Sequence, residues 1–385
     1  MLGYSERHLT RVVTSELGAG PLALSTMRCA YLARSLIETT TLPMQDVRIA
    51  AGFNSLRQFN DVIRSVYARS PTWMRRAARD RPRPPEVWGR ITVRLRTRTP
   101  FDGQGLLHDL GACAVDGVEW VGPTQYARTL RLPGGPATVR LRFEADHVDC
   151  AVRLHDLADL GAAVARMRAL LDLDADPDAV DHVLRADPRL APAVTANPGI
   201  RLLGSTDGTE TLVRALVEHS DTTSSPQEKM NRLVSAAGEK LSEPDGELTM
   251  LFPTATVISR HGWNFVPPSV QRTVRAVCVD IASGDLPLHV GVDHSALYAQ
   301  LHSYPGISPR MAEHVTVRLL GDPDRLRADD PEARAGAKVL GLPAKINDLA
   351  RHGEGWRPWR SHAHAHLVRT SHTSKFHPDT TKAPR

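Results

Sequence analysis

The chain has 385 residues, a length that accommodates two or three domains, each with its own core. Its 41% hydrophobic and 24% charged residues are the ordinary balance of a globular protein. No apolar run approaches the roughly 18 residues of a membrane-spanning helix, and the N-terminus lacks the apolar stretch of a secretory signal. The four cysteines show no paired spacing, as expected for buried thiols in a reducing compartment. We therefore expect a soluble, cytoplasmic protein with no membrane partner.

Positive charge is concentrated near the N-terminus. Residues 1–85 contain 13 Lys and Arg against 6 Asp and Glu, a net charge of +7, so the rest of the chain carries −2 of the overall +5. Residues 57–98 are the densest stretch, with 12 basic and 3 acidic side chains. Such an arginine cluster favours binding to a polyanion such as DNA, although a solvated linker has the same composition.

Helical periodicity dominates residues 5–79. The pattern predicts four helices, at Ser5–Glu16, Thr26–Glu38, Pro43–Ala51 and Ser55–Ala68. Gly52 lies in the short connection between the last two helices, where glycine adopts positive φ without strain. Two helices joined by a short turn and flanked by arginines predict a helix-turn-helix unit, which places one helix in the major groove of DNA.

The pattern changes after a Pro-rich segment. Residues 80–90 cannot continue a helix and predict a stiff linker. Residues 91–156 predict an antiparallel β-rich subdomain with strands at Ile91–Arg96, Tyr126–Leu132, Thr138–Phe143 and Val148–Leu154. Residues 157–370 are helical again, and residues 371–385 predict a flexible tail. The sequence therefore predicts a mainly α-helical protein with an α+β subdomain, preceded by an N-terminal DNA-binding domain at residues 1–79.

The helix-turn-helix segment resembles AraC-type transcription regulators. The matching residues are Ile49–Phe53, Gln58–Phe59 and Val66–Pro71. The resemblance implies that Gly52 makes the turn, that Phe53 and Phe59 hold the recognition helix, and that Pro71 closes the unit. It also implies that the side chains facing DNA are Ser55, Arg57, Gln58 and Asn60. Gly3–Leu9 resembles the recognition helix of a truncated first unit, which brings Arg7 to DNA.

A second resemblance covers about residues 91–370. Its motifs, in chain order, are Asn197–Leu202, Tyr304–Pro309, Asp329–Pro331 and Gly355–Ser361. Together with the β-rich subdomain they resemble the 3-methyladenine branch of the helix-hairpin-helix DNA glycosylases, the AlkA-like enzymes. The resemblance implies a helical helix-hairpin-helix core in which Gly306 and Ser308 bind a DNA phosphate through backbone N–H groups.

The same resemblance assigns the chemistry. An alkylated purine is cationic and leaves readily, so a fixed carboxylate is needed to stabilise the oxocarbenium-like sugar and to orient the attacking water. The resemblance gives this catalytic role to Asp330 and a supporting role to Asp329. Asp330 followed by Pro331 is also the signature of a helix N-cap, and the two roles are compatible. Arg310 aligns with the Schiff-base lysine of bifunctional relatives and cannot act as that nucleophile, so strand cleavage is not expected.

Several positions depart from the family pattern. The residues aligned with base-stacking aromatic side chains, none of them Phe, Tyr or Trp, are Arg310, His314, Pro331 and Val368. Ser308 replaces the second glycine of the hairpin, and a left-handed backbone there costs about 1–2 kcal/mol and weakens the phosphate contact. The loop at 218–227 lacks an apolar wedge for the gap that a flipped base leaves. These departures predict a glycosylase with reduced or lost activity, unless insertions shift the alignment and Trp263 or Tyr298 supplies the stacking surface.

Five histidines near the C-terminus could suggest a metal site: His362, His364, His366, His372 and His377. Only His362 and His366 have the helical i, i+4 spacing of a ligand pair, and no carboxylate or cysteine lies beside them. In the family pattern a histidine near His366 is structural. We therefore expect no metal and no cofactor.

These expectations converge on DNA repair in the response to alkylation damage. The predicted protein is a monofunctional DNA-3-methyladenine glycosylase, which hydrolyses the N-glycosidic bond of alkylated bases, fused to a transcription-regulator DNA-binding domain. Its expected partner is double-stranded DNA, both at damaged sites and at operators. The alternative is a catalytically impaired glycosylase that acts as a DNA-binding transcription regulator. A sequence-nonspecific architectural protein is a third reading.

Overall fold

The computed structural model describes residues 6–79, 89–218, 225–261 and 266–376. The first part of the chain forms the helices α1 (Glu6–Leu17), α2 (Pro21–Thr39), α3 (Met44–Ala50), α4 (Leu56–Tyr67) and α5 (Pro71–Ala77). A mixed segment follows, with β1 (Ile91–Arg96), α6 (Gly103–Ala112), β2 (Glu119–Val121), β3 (Gln125–Leu132), β4 (Gly135–Phe143) and β5 (His147–Arg153).

The remainder is mainly helical. After a short 3-10 helix at Leu157–Asp159 come α7 (Leu160–Leu170), α8 (Pro177–Arg185), α9 (Ala191–Ala196), α10 (Gly208–Glu218) and α11 (Pro226–Ala237). The strands β6 (Glu239–Asp245) and β7 (Leu248–Leu251) precede α12 (Ala255–Arg260), α13 (Pro268–Ser283), α14 (His294–His302), α15 (Pro309–Leu320), α16 (Pro331–Val339), α17 (Ile346–His352), a 3-10 helix at Gly353–Trp356, and α18 (Arg360–Phe376). Within the described ranges, no helix is long and apolar enough to span a membrane.

The predicted β-rich segment forms a five-stranded sheet in the order β1-β5-β4-β3-β2. Its four long strands match the predicted ones to within three residues at each end. The strand β2 and the helix α6 were not predicted. The separate hairpin β6–β7 was not predicted either, because Glu239–Asp245 shows no alternation and contains a proline, features that argue against a strand.

The chain divides into two compact units. The first consists of Met1–Arg94, Arg131–Val139 and Asp149–Ala165, and the second of Leu95–Leu130, Arg140–Val148 and Arg166–Arg385. In the first unit α2 packs against α3, α4 and α5, while α3 also contacts the 3-10 helix at Leu157–Asp159. The helix-turn-helix therefore shares its unit with residues far along the chain, so point substitutions test it more cleanly than truncation does.

The second unit contains two hydrophobic cores. One lies between α10, α11, α13, α14 and α15, with Leu216, Val277 and Val315 among its buried residues. The other joins α8, α9, α16 and α18 around the buried Trp356 and Leu367. Because α15 belongs to the first core while α16 and α18 belong to the second, side chains from these three helices can meet between the cores.

A buried ion network fixes α10, the helix that packs against α15. The guanidinium of Arg128 on β3 donates to Glu210 on α10 at 2.7 Å, and Arg214 donates to the same carboxylate at 2.6 Å. The hydroxyl of Tyr126 donates to Glu119 at 2.6 Å. Burial opposes ionisation of Glu210, but the two arginines outweigh it and lower its pKa to about 2. The buried carboxylate is thus charged and paired, which stabilises one particular placement of α10.

Candidate active site and DNA interface

The turn of the helix-turn-helix is built as the sequence indicates. Gly52 has a φ of +83°, and its N–H donates to the carbonyl of Ile49 at 3.0 Å. The rings of Phe53 and Phe59 meet edge to face with centroids 5.5 Å apart, and both are buried. Pro71 is buried at the first position of α5. This geometry fixes the angle at which α4, the predicted recognition helix, leaves the turn.

The predicted DNA-facing residues lie at the start of α4. Ser55 is its N-cap and accepts from the backbone N–H of Gln58 at 3.1 Å, while the Gln58 side chain accepts from Asn54 at 3.2 Å. Arg57 is 93% exposed and Asn60 is partly exposed. Arg7 on α1 is also exposed. The first turn of α4 is therefore a solvent-facing polar surface in which two side chains also stabilise the helix end.

Some arginines of the basic cluster have internal roles. Arg75 on α5 donates to the carbonyls of Leu42 and Ile37, and thereby ties the connection between α2 and α3 to α5. By contrast, Arg57, Arg64 and Arg69 are exposed. The cluster therefore contains exposed charges that can meet phosphate as well as arginines with internal partners, such as Arg75 and Arg94, whose guanidinium lies 3.3 Å from the buried Asp149.

The predicted hairpin joins α14 to α15. Gly306 has a φ of +90°, and a Cβ at this position would lie 2.8 Å from Oγ1 of Thr273, so only glycine fits without a shift. The hydroxyl of Thr273, on α13, donates to the carbonyl of Pro305. The N–H of Ile307 donates to the carbonyl of Tyr304 at 3.1 Å. The turn thus presents the N-terminus of the 12-residue helix α15 in a fixed orientation.

The expectation of backbone strain at Ser308 is wrong. Ser308 has a φ of −73° and a ψ of 158°, an extended conformation, and is the N-cap of α15. Its hydroxyl accepts from the N–H of Met311 at 3.2 Å, and Pro309 occupies the first helical position. Ser308 therefore stabilises the hairpin rather than straining it. Backbone strain at Ser308 thus gives no reason to expect a weaker phosphate contact.

Asp330 occupies the N-cap of α16, as its sequence context predicts. Its Oδ1 accepts from the N–H of Glu332 at 2.9 Å, and its carboxylate side chain is only 14% exposed. Its Oδ2 lies 3.4 Å from Nε2 of His364 on α18 and 3.5 Å from Nη1 of Arg327. Asp329, the adjacent acid, is exposed. The two neighbouring carboxylates thus lie in different environments, and only one of them is held by protein groups.

The surroundings of Asp330 keep it ionised. Burial alone would raise its pKa, but the Arg327 charge and the Glu332 N–H outweigh this and hold the pKa well below its usual range. Burial, followed by the charge of Arg327, lowers the pKa of His364. At neutral pH the site therefore contains a negative carboxylate beside a neutral imidazole, an arrangement able to oppose a developing positive charge.

Arg327 is the site residue that the sequence did not reveal. Its guanidinium donates to Nε2 of His364 at 2.7 Å and to Nδ1 of His314 at 3.0 Å. These partners lie 37 and 13 residues away on α18 and α15, so no local pattern points to the contact. The only available signal was a cation three residues before the predicted carboxylate.

The structure brings some of the predicted pocket residues together. His314 contacts Arg327, and the charge of Arg310 acts on Arg327 as well. Val368 lies one turn after His364 on α18 and packs against the core around Trp356. The alternative stacking residue Tyr298 packs against the other core, and its ring lies 6.0 Å from that of His302. Trp263, residues 219–224 of the predicted wedge loop, residues 80–88 of the linker and His377 lie outside the described residues.

Two further histidines of α18 face inward, whereas His372 is partly exposed and lies 3.2 Å from Glu332. His362 lies 3.3 Å from Asp172, and its ring packs edge to face against Trp359. His366 is fully buried, and burial lowers its pKa to about 3. In the described part of the chain, no group of three His, Cys, Asp or Glu side chains is placed to hold a metal ion.

We expect the buried His366 to make stability pH-dependent. Its pKa is lowered in the folded chain, so below its unfolded value of roughly 6.5 the unfolded state binds more protons and is favoured. From pH 6.5 to pH 5 this group alone should remove about 2 kcal/mol from the free energy of unfolding. In urea titrations over this pH range, His366→Leu should lose less of its free energy of unfolding than the wild type does. The exposed-site variant His108→Leu should follow the wild-type curve, and identical slopes for all three proteins would contradict the assignment.

Comparison with known proteins agrees with both halves of this description. Residues 1–77 match a helix-turn-helix domain family, and residues 92–207 match the AlkA N-terminal domain family. A probable bifunctional transcriptional activator/DNA repair enzyme AlkA from Mycobacterium tuberculosis is 42% identical over 372 residues, which cover 96% of this chain and 75% of the relative. The DNA-3-methyladenine glycosylase 2 of Escherichia coli is 27% identical over 294 residues, covering 74% of this chain and 98% of that protein.

Solved structures share the fold of the larger part of the chain. A 3-methyladenine DNA glycosylase from Archaeoglobus fulgidus matches with a TM-score of 0.63 at 16% identity, over 72% of this chain and 98% of its own. An 8-oxoguanine glycosylase/lyase from Clostridium acetobutylicum, solved with DNA, matches with a TM-score of 0.59 at 16% identity, over 76% and 98%. The predicted fold class is confirmed: a helix-turn-helix segment, an antiparallel sheet and a helical core like those of DNA glycosylases.

Proposed function

This chain belongs to the AlkA family of bifunctional transcriptional activators and DNA repair enzymes, and from that premise we propose that it excises damaged bases from duplex DNA by hydrolysing the N-glycosidic bond. The observation that carries the proposal is Asp330. It is ionised and mostly buried, and it is held at the start of α16 by the N–H of Glu332 and beside Arg327 and His364. A carboxylate fixed in this way opposes the positive charge of the sugar without reorganising during the reaction.

The roles of the other residues follow from their positions. Asp330 stabilises the oxocarbenium-like sugar and orients the water that attacks its C1′ atom. The hairpin, with Gly306 at the turn and Ser308 as N-cap, presents backbone N–H groups at the start of α15 to a phosphate. Asp329 acts only through its charge, because it is exposed. Arg310 cannot form a Schiff base, so the reaction ends at an abasic site.

The N-terminal helices supply a second mode of DNA binding. Ser55, Arg57, Gln58 and Asn60 at the start of α4, with Arg7 on α1, form the surface that would enter the major groove at an operator. Bases read there are undamaged, whereas the carboxylate site acts on a flipped, damaged base. We propose that one chain thus combines operator binding with repair.

A catalytically impaired protein that only binds DNA is the second candidate. It is favoured by one observation: the side chains contacting Arg327 beside Asp330 are His314 and His364, neither of them a Phe, Tyr or Trp on which a base could stack. Base–aromatic stacking contributes about 1–3 kcal/mol per base, so its loss would slow excision of a cationic purine.

Base release from methylated duplex DNA distinguishes the two candidates. The full chain is incubated in excess with such a duplex, and the liberated bases are separated by chromatography, with unmethylated duplex as the control. The proposed function predicts time-dependent release of a free base with the strand intact until alkali is added. Tight binding to the same duplex with no release above the spontaneous rate would support the DNA-binding regulator.

A further inference from the structure

The oxygen of Asp330 that could face a sugar cation is covered by other side chains. Oδ1 of Asp330 accepts from the N–H of Glu332 at the start of α16, so Oδ2 is the oxygen left for the reaction. Nη1 of Arg327 lies 3.5 Å from Oδ2, and Nε2 of His364 lies 3.4 Å from it. The carboxylate side chain is 14% exposed and that of Arg327 is 19% exposed. These two neighbours therefore occupy space beside Oδ2 that a reacting nucleotide needs.

The guanidinium of Arg327 is held in this place from two helices. It donates to Nδ1 of His314 on α15 at 3.0 Å and to Nε2 of His364 on α18 at 2.7 Å. Burial lowers the pKa of His364, so its neutral ring accepts the second of these bonds. Arginine stays protonated in proteins, and its planar fork fixes the direction of both donors. Arg327 is therefore a fixed cation in front of the carboxylate rather than a loose surface side chain.

The charges around Arg327 make its position a cation site. The negative charges acting on it are those of Asp330, Asp329 and Glu218, against one other positive charge, that of Arg310. A flipped alkylated purine brings a planar cation to the same carboxylate, and the sugar becomes cationic as the base leaves. The guanidinium is also a planar cation, so it supplies Asp330 with the kind of partner that the reaction would supply. While it stays, it offsets the negative charge that Asp330 can direct at the sugar.

We propose that Arg327 inhibits its own active site: its guanidinium occupies the space beside Asp330 that a damaged nucleotide needs, and it must leave before the base can be released. The inference rests on the proposed glycosylase function and adds a step before bond cleavage. Asp329 and Glu218 are exposed, so they offer the guanidinium carboxylates nearer to solvent once it leaves His314 and His364. Asp330 then opposes the charge of the sugar without a competing cation.

Removal of the guanidinium should therefore speed the reaction. Single-turnover release of 7-methylguanine from a duplex is measured for the wild type, for Arg327→Ala and for the matched control Arg327→Lys. We expect Arg327→Ala to release the base about 10-fold faster than the wild type or more, because hydrogen bonds from a charged group no longer have to be broken first. Arg327→Lys keeps a positive charge near Asp330 and should stay closer to the wild-type rate.

The emptied cation site should also accept a free guanidinium ion. At low, non-denaturing concentrations, guanidinium chloride should slow Arg327→Ala back towards the wild-type rate and leave the wild type unchanged. Sodium chloride at the same concentrations is the control for the effect of salt on DNA binding. Thermal unfolding of the same preparations should show that guanidinium stabilises Arg327→Ala relative to sodium, with no such difference in the wild type.

A further variant covers the case in which Arg327→Ala folds poorly. Arg327→Gln is neutral and shorter but keeps an N–H donor for the histidines, and it should likewise release the base faster than the wild type. A folded Arg327→Ala or Arg327→Gln that is no faster than the wild type would overturn the proposal, since Arg327 would then support Asp330. So would a faster Arg327→Ala that guanidinium does not slow. If neither the wild type nor any variant releases a base, the glycosylase function is refuted and the inhibition with it, a result distinct from equal rates.

Discussion

Replacing Asp330 with Asn is expected to reduce base release by at least about 10³-fold, because the charge that opposes the oxocarbenium-like sugar is removed. The fold should survive, since the Asn side chain can still accept from the N–H of Glu332 and cap α16. Single-turnover base release and thermal unfolding, measured on the same preparation, separate the two effects.

Asp329→Asn is the matched control for this substitution. Asp329 is exposed, so water and salt screen its charge, and we expect a clearly smaller loss of activity. Equal losses in Asp329→Asn and Asp330→Asn, with both proteins folded, would contradict the assignment of roles. Because the two residues are adjacent and chemically identical, a difference in activity between the variants reflects the different burial and contacts of the two carboxylates.

Removing three exposed arginines of the helix-turn-helix should sharply reduce the salt dependence of DNA binding. In duplex DNA, each cation–phosphate contact that is removed makes the slope of log affinity against log salt shallower by about 0.9. The combined variant Arg57→Ala, Arg64→Ala, Arg69→Ala should therefore lose up to about three units of slope and roughly 10²-fold in affinity at low salt. Fluorescence anisotropy with a labelled duplex across a series of salt concentrations provides both quantities.

Arg75→Met is the control for that experiment. Its guanidinium donates to backbone carbonyls of Leu42 and Ile37, so its loss should reduce the stability of the N-terminal helices and leave the salt slope near that of the wild type. An unchanged slope in the triple variant would show that these helices do not contact DNA phosphates. A slope lost equally in Arg75→Met would show that folding of the domain, rather than exposed charge, determines binding.

Local sequence signals predicted the parts of the structure that depend on neighbouring residues. A glycine between two helical patterns predicted the turn at Gly52, and the Asp-Pro pair predicted that Asp330 caps a helix. The same kind of signal was present at Ser308, where Ser-Pro is a cap followed by a proline at the first helical position. The expectation of strain came from the glycine that the family has at this position. It gave too little weight to the local Ser-Pro pattern.

The parts that the sequence did not reveal depend on distant contacts. Arg327 is defined by partners on α15 and α18, and nothing within a few residues of it indicates either one. The hairpin β6–β7 has few buried residues of its own and is held by Gly117, whose carbonyl accepts from the N–H groups of Thr249 and Met250 at 2.8 and 2.9 Å. Periodicity within a segment carries no information about such tertiary contacts.

The most direct test of a hydrolytic glycosylase is the mass of the DNA strand after reaction. A short duplex with one damaged base is incubated with excess full-length chain, and both strands are measured by mass spectrometry without alkali. We predict an intact strand in which the damaged base is replaced by a hydroxyl group, together with the free base. A strand of unchanged mass, despite demonstrated binding, would contradict catalysis, and a shortened strand would contradict water as the nucleophile.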